Sequence, residues 1–207
     1  MLVVAHTHAH GDHIAGDATF AGRPDTVVVG TTADEVRAFF GFTSWPQQVV
    51  EYDLGGRTLE ITGIPGHEPA SIATYDARTG LLLTGDSVYP GRIYVRDFPA
   101  FVDSMNRLVA LAESREVTHV LGCHIEMTTR PGHDYYLGCR YQPDEPPLQM
   151  TVAQLRALRD AAVSVAERPG PHRFDDFLVY HGMGVRTQLP VVSRALASRA
   201  LDLVRRR

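Results

Sequence analysis

The sequence contains no lysine; its 20 basic residues are all arginine. A Schiff-base lysine, a P-loop lysine and a carboxylated-lysine metal bridge are therefore excluded before any motif is read. Asparagine is almost as scarce, with Asn106 alone, and both scarcities fit a GC-rich coding sequence. Only two cysteines occur, Cys123 and Cys139, too few for a disulfide framework and spaced unlike a zinc knuckle. No apolar run approaches the ~20 residues of a membrane helix, so no membrane partner is expected. Charge of one sign is not in excess: 20 basic against 24 acidic residues leave −4, and residues 205–207 form the only basic block. A nucleic-acid partner is not expected on that balance. The opening MLVVAHTHAHGDH lacks a basic n-region and a long apolar stretch, so it does not read as a leader, and the expected compartment is the cytoplasm.

What is present is an ordinary globular composition. With 207 residues, 44% hydrophobic and 21% charged, the chain is long enough to bury a core, and the expectation is one domain over 1–207. Short apolar runs at 2–5 and 26–30 read as strands, the first of them inside a sheet. Thr32 and Glu35 have the spacing of a capping box ahead of Val36, Phe39 and Phe40 at helical intervals, and the stretch 41–46 ends that helix. Residues 59–64 alternate as a strand, and 72–75 with 81–84 flank a turn at Arg78-Thr79-Gly80. Phe98, Phe101, Met105, Leu108 and Leu111 share one helical face. A strand at 117–121, an ordered loop at 130–148, a helix from the Thr151/Gln154 capping box to about 167, a strand within 174–180 and a terminal helix over 189–206 complete the reading. Strands and helices alternate, so the class is α/β or a layered α+β arrangement.

The strongest chemical signal is His8-Ala9-His10-Gly11-Asp12-His13, four metal-capable side chains within six residues. His8 and His10, two apart at a strand end, project the same way and suit one ion. Asp12 and His13 follow a glycine that permits a tight turn, and suit a second ion beside the first. Three further candidates sit next to a glycine after apolar strands: His67 after Pro65-Gly66, Asp86 after Gly85, and His124 after Gly122-Cys123. Sites collect at the carboxyl ends of strands.

His-x-His-x-Asp-His, then Pro-Gly-His, Thr-Gly-Asp and Gly-x-His, resembles the metallo-β-lactamase-fold hydrolase superfamily, in its generic glyoxalase-II-like branch, from residue 2 to about 126. The resemblance implies an αββα sandwich with its metals at one edge of the sheets. It implies His8, His10 and His67 on one metal, Asp12, His13 and His124 on the other, and Asp86 bridging them. The implied cofactors are two divalent ions; the imidazole-rich set suits Zn²⁺, and the two carboxylates admit iron or manganese. The implied activity is that of a dinuclear hydrolase, whose metal-bridging hydroxide cleaves a small-molecule ester, thioester or lactone while Asp12 orients it or carries a proton. Phosphodiesterase or β-lactamase chemistry, or a catalytically silent fragment, are the alternatives.

Departures from that pattern sharpen the expectation. The family carries several strands before its first motif, whereas seven residues precede His8. The expectation is a sandwich lacking its first strands, through a start codon called too late, a fragment, or strands supplied by a partner chain. The first account is preferred; an exposed sheet edge would favour association, a homodimer included. Glu68 and Ala70 replace the residues common around His67, and Glu68 reads as a solvated loop residue rather than an imidazole partner. Asp86 stands where one subclass of true β-lactamases has cysteine, and the segment 87–92 does not match glutathione-thioester hydrolases, so the likeness stops at the general hydrolase. Tyr89, Arg92 and Tyr94 are candidate substrate contacts, the arginine suiting a carboxylate. His6 is expected outside both ligand sets, His119 in the core, and Cys123 as a small buried residue rather than a nucleophile.

Overall fold

Local signals fix the helices. Thr32 accepts from Glu35 N while the Glu35 carboxylate accepts from Thr32 N, and Thr151 and Gln154 make the same reciprocal cap. Asp97 caps the longest helix through Ala100 N, with proline in its first turn. A computed structural model describes residues 1–182 and, beyond them, Gly184, Leu189, Val192, Ser193, Ala195, Leu196 and Ser198. The terminal helix expected over 189–206 falls for the most part outside the described residues.

The chain begins with β1 (Leu2–Val4), two short helical turns α1 (Gly11–Ile14) and α2 (Asp17–Phe20), β2 (Thr26–Val28) and α3 (Ala33–Phe40). A meander follows: β3 (Val49–Asp53), β4 (Thr58–Gly63), β5 (Ile72–Asp76) and β6 (Leu81–Gly85). Then come β7 (Arg92–Val95), α4 (Phe98–Ser114), β8 (His119–Gly122), β9 (Gln149–Met150), α5 (Val152–Ser164), β10 (Gly170–Arg173) and β11 (Leu178–His181). Six strands form the main sheet in the order β3-β4-β5-β6-β8-β9; β10-β11-β7 form a second sheet, and β1-β2 a parallel pair.

Both faces of the main sheet are covered. On one face Ala73, Tyr75, Leu82 and Val120 pack with Phe101, Met105 and Leu108 of α4, Leu155 and Leu158 of α5, and Ile93 and Val179 of the second sheet. Each such fully buried side chain contributes about 1.5–3 kcal/mol of apolar transfer. On the other face Val50, Ile61 and Ile72 meet Val29, Val36 and Phe42, with Val3, Phe39, Phe40 and Trp45 partly buried against them. The four aromatic residues of 39–45 therefore close a helix end onto a core.

Three expectations are corrected. β1 is not inside a sheet: it pairs only with β2 among the described residues, and Leu2 is 47% exposed. His119 is exposed, because period-2 alternation in β8 turns Val120 into the core and His119 away from it. Cys123 is exposed rather than buried, since β8 ends at Gly122 and the residue stands outside the sheet. Among the described residues no helix is long and apolar enough to cross a membrane.

Candidate metal centre

β4 is antiparallel to β5, β5 to β6, and β6 is parallel to β8. Three strands thus run the same way, and their carboxyl ends open on one edge of the sheet. His67 follows β4, Asp86 follows β6 and His124 follows β8. Gly66 makes the approach of His67 feasible: its φ is +136°, and a Cβ there would stand 2.5 Å from the Phe101 Cα.

Two groups of side chains converge at that edge. The ligand atoms of His8, His10, His67 and Asp86 lie within 4.8 Å of one another, and so do those of Asp12, His13, Asp86 and His124. In the first group His10 Nδ1 is 3.0 Å from both His8 Nε2 and His67 Nε2. Asp86 Oδ2 is 3.6 Å from His8 Nε2 and 3.8 Å from His67 Nε2. In the second, Asp86 Oδ1 is 3.5 Å from His13 Nε2, and Asp86 Oδ2 is 3.2 Å from His124 Nε2. Asp12 Oδ2 is 3.4 Å from His124 Nε2 and 3.6 Å from His13 Nε2. Two atoms each about 2.1 Å from one ion, at the tetrahedral angle, stand about 3.4 Å apart. The observed separations bracket that value.

Proton accounting supports a cation. His67 Nδ1 donates to the Tyr94 carbonyl at 2.7 Å, which leaves a lone pair on Nε2 of the neutral ring. His10 Nδ1 carries at most one proton, so it cannot satisfy His8 and His67 together. His13 Nε2 and Asp86 Oδ1 are buried with no hydrogen-bond partner. Such orphans cost about 1–3 kcal/mol each unless something satisfies them. Burial lowers the His8 pKa to about 3 against the pull of Asp86, and lowers that of His67, so both rings are neutral, the form that binds metal. Burial alone would raise the pKa of Asp86, but the His124 contact and the nearby His8 and His13 hold it below its ordinary value. The same contact raises the pKa of His124. His8, His67 and Asp86 are buried, whereas the Asp12 side chain is 60% exposed and that of His124 39%. The centre is open on the Asp12–His124 side.

The other candidates lie elsewhere. His6 Nε2 pairs with Asp17 Oδ1 at 2.7 Å, outside both groups. Glu68 accepts from Ala70 N at 2.7 Å, a turn contact, and the imidazole partner near it is the Tyr94 carbonyl. Loss of solvent and the charge of Asp86 push the Cys123 thiol pKa up, which opposes a nucleophilic thiolate. Of the candidate substrate contacts, Tyr89 is 2% exposed and Arg92 3%. The Tyr89 hydroxyl donates to the Arg92 carbonyl. The Arg92 guanidinium pairs with Glu126 and, at 3.0 Å, with Asp134, and donates to the Tyr94 hydroxyl at 3.1 Å. A substrate reaches neither residue without opening this network. Tyr94 is half-buried, its hydroxyl held by Arg92 and its ring 5.0 Å from that of Tyr180. Sequence reasoning missed Thr7, Glu126 and Asp134; only their nearness to His8 and His124, in the first two cases, hinted at them.

A profile of the metallo-beta-lactamase superfamily matches residues 2–138, a span that includes every residue of both groups. The hydroxyacylglutathione hydrolase of Synechococcus sp. (strain JA-3-3Ab) is 29% identical over 171 residues, covering 78% of this chain and 62% of the relative. That of Thermosynechococcus vestitus (strain NIES-2133 / IAM M-273 / BP-1) is 29% identical over 179 residues, covering 82% and 65%. The chain thus spans less than two thirds of the length of these curated relatives. The segment 87–92, which set the chain apart from glutathione-thioester hydrolases, does not prevent the matches; it forms the turn into β7 and buries Arg92. Among solved structures, a metallo-beta-lactamase from Pontibacter korlensis aligns with a TM-score of 0.52 at 16% identity, covering 79% of this chain and 69% of that one, a likeness of fold. By its fold, its ligand groups and the match over more than half of its length, the chain belongs to the metallo-beta-lactamase superfamily.

Proposed function

We propose that the chain is a dinuclear metal-dependent hydrolase of a small-molecule substrate, with a thioester as the first choice over an ester or lactone. The observation that carries the reading is Asp86, whose carboxylate belongs to both ligand groups at once. In this reading His8, His10, His67 and Asp86 hold one ion, and Asp12, His13, Asp86 and His124 the other. Five imidazoles suit zinc, and the two carboxylates admit iron or manganese. When bound, two such ions supply Lewis acidity and bring the pKa of a shared water to about 7.

The chain's own residues do the rest. Asp86, buried and ionised, fixes the two groups against each other. Asp12, the exposed carboxylate on the rim, offers Oδ2 to the second group and leaves its other carboxylate oxygen to accept the proton of the attacking water and return it to the leaving group. A thiolate with a pKa of about 8.5 needs little help to leave, which suits a site with one exposed carboxylate at its mouth. The relatives named hydroxyacylglutathione hydrolase support the thioester class.

The test is protein purified without added metal or chelator, analysed by plasma mass spectrometry and assayed on a hydroxyacylglutathione thioester. About two ions per chain, and thiol release that a chelator abolishes, are expected. A folded, metal-free chain that acquires no activity on adding zinc, iron or manganese overturns the reading. Cleavage of a phosphodiester or β-lactam in preference to the thioester overturns the substrate class alone.

A further inference from the structure

The ligand pattern passes over the residue between His6 and His8. Thr7 Oγ1 lies 3.2 Å from His8 Nδ1 and 3.4 Å from His13 Nδ1, so it meets one imidazole of each ligand group. The Cys123 thiol neighbours the same hydroxyl, which acts on it against the upward push of lost solvent and of Asp86. Thr7 is fixed from two sides. Its carbonyl accepts from Ile72 N at 2.9 Å, at the start of β5. Gly85, with φ +54°, leaves it space: a Cβ there would stand 2.7 Å from the Thr7 hydroxyl oxygen.

A hydroxyl offers two lone pairs and one proton. His8 and His13 both turn Nε2 into a ligand group, so in the neutral rings the proton sits on Nδ1. Both Nδ1–H groups then face one oxygen, whose two lone pairs accept them. Both acceptor positions of the hydroxyl are used. The first-group ligand His67 is held separately, by the Tyr94 carbonyl, so loss of Thr7 weakens the centre without dismantling it.

We propose that Thr7 is a positioning residue whose single hydroxyl sets the tautomer and ring orientation of one imidazole in each ligand group, so that the two groups are preorganised together. This rests on the dinuclear reading above. It also gives Cys123 a place, as the third neighbour of that hydroxyl rather than a nucleophile.

Thr7→Val keeps the branched shape and removes the hydroxyl; Thr7→Ser keeps the hydroxyl and removes the methyl. Metal-free protein is titrated with zinc or cobalt(II) in competition with a chromophoric chelator. The parent is expected to bind two ions. Thr7→Val is expected to bind both more weakly by about 10–100-fold, the usual effect of removing an outer partner of a metal-bound histidine. Thr7→Ser is expected to bind as the parent does. Val binding as tight as the parent, weakening of one ion alone, or Ser behaving like Val each overturns the shared role. A parent that takes up one ion or none overturns the dinuclear reading itself, and the parent's count separates that failure from the others. Ring-nitrogen NMR of the metal-free chain gives a second readout. His8 and His13 are expected as Nδ1–H tautomers in the parent and redistributed in Thr7→Val; unchanged tautomers overturn the proposal. Should Thr7→Val not fold, Thr7→Ala carries the same comparison against Thr7→Ser.

Discussion

Asp86 Oδ1 and His13 Nε2 face each other across 3.5 Å, both buried and neither with a hydrogen-bond partner. In the proposed dinuclear reading both atoms are ligands of one cation, which would satisfy them together. Asp86→Ala is therefore expected to lose metal from both groups, and activity with it, by more than the ~10–100-fold that an outer partner commands. Metal content per chain and thioester turnover are read on the same preparation. Cys123→Ala, which removes a neighbour of the Thr7 hydroxyl and no member of either group, is expected to keep most of both. A metal-replete, active Asp86→Ala chain would remove the bridging role.

The first candidate ligands are legible in the sequence because a metal site demands particular atoms at particular spacings, and within residues 8–13 those spacings are local. His8 through His13 lie in the loop after β1 and in the short turn α1, not at a strand end as the spacing of His8 and His10 suggests. The capping boxes of α3 and α5 are legible for the same reason, since each is closed within four residues. What escaped is set by distant partners. β7 opens with Arg92, which reads as a candidate substrate contact until Glu126 and Asp134 are seen to neutralise it. β9 has two residues and exists because Met150 pairs with Val120. The exposure of His119 and Cys123 follows from how β8 enters the sheet, which its own apolar run cannot report.

The Arg92 cluster predicts a stability effect distinct from the metal chemistry. The Arg92 side chain is 4% exposed, that of Glu126 18% and that of Asp134 2%. Glu126 also accepts from Arg92 N at 2.7 Å, two residues beyond His124. Arg173 still pairs with Asp134 when Arg92 is removed, but the paired cation of Glu126 is gone. Arg92→Met is expected to cost about 3–5 kcal/mol, the usual penalty for breaking a buried pair from one side. Arg92→Lys does not restore it, because a point charge cannot address two carboxylates and a hydroxyl as the planar fork does. Urea unfolding checks this through a lower midpoint at unchanged slope. A loss under about 1 kcal/mol, the ordinary mutational mean, would mean that the cluster is solvated in the working protein.

The hairpin between β5 and β6 contributes to acid stability through Asp76. Arg57 Nε donates to Asp76 Oδ1 at 3.1 Å, its NH2 donates to Oδ2, and the Thr79 hydroxyl donates to Oδ2 at 2.5 Å. The Arg57 contact first, and then the Thr79 hydroxyl, hold the Asp76 pKa well below the usual carboxylate range. A carboxylate depressed in the folded state adds stability that is fully present above its unfolded pKa of about 4 and is lost as pH falls through the folded value. Parent protein should therefore lose stability on acidification below about pH 4, part of it through this one group. Asp76→Asn should be less stable at neutral pH and fall less steeply over the same acid range, because the titrating charge is gone. Thermal melts of both proteins, metal-free, at neutral pH and near pH 3 make the comparison; parallel losses in the two would assign the acid sensitivity to other carboxylates.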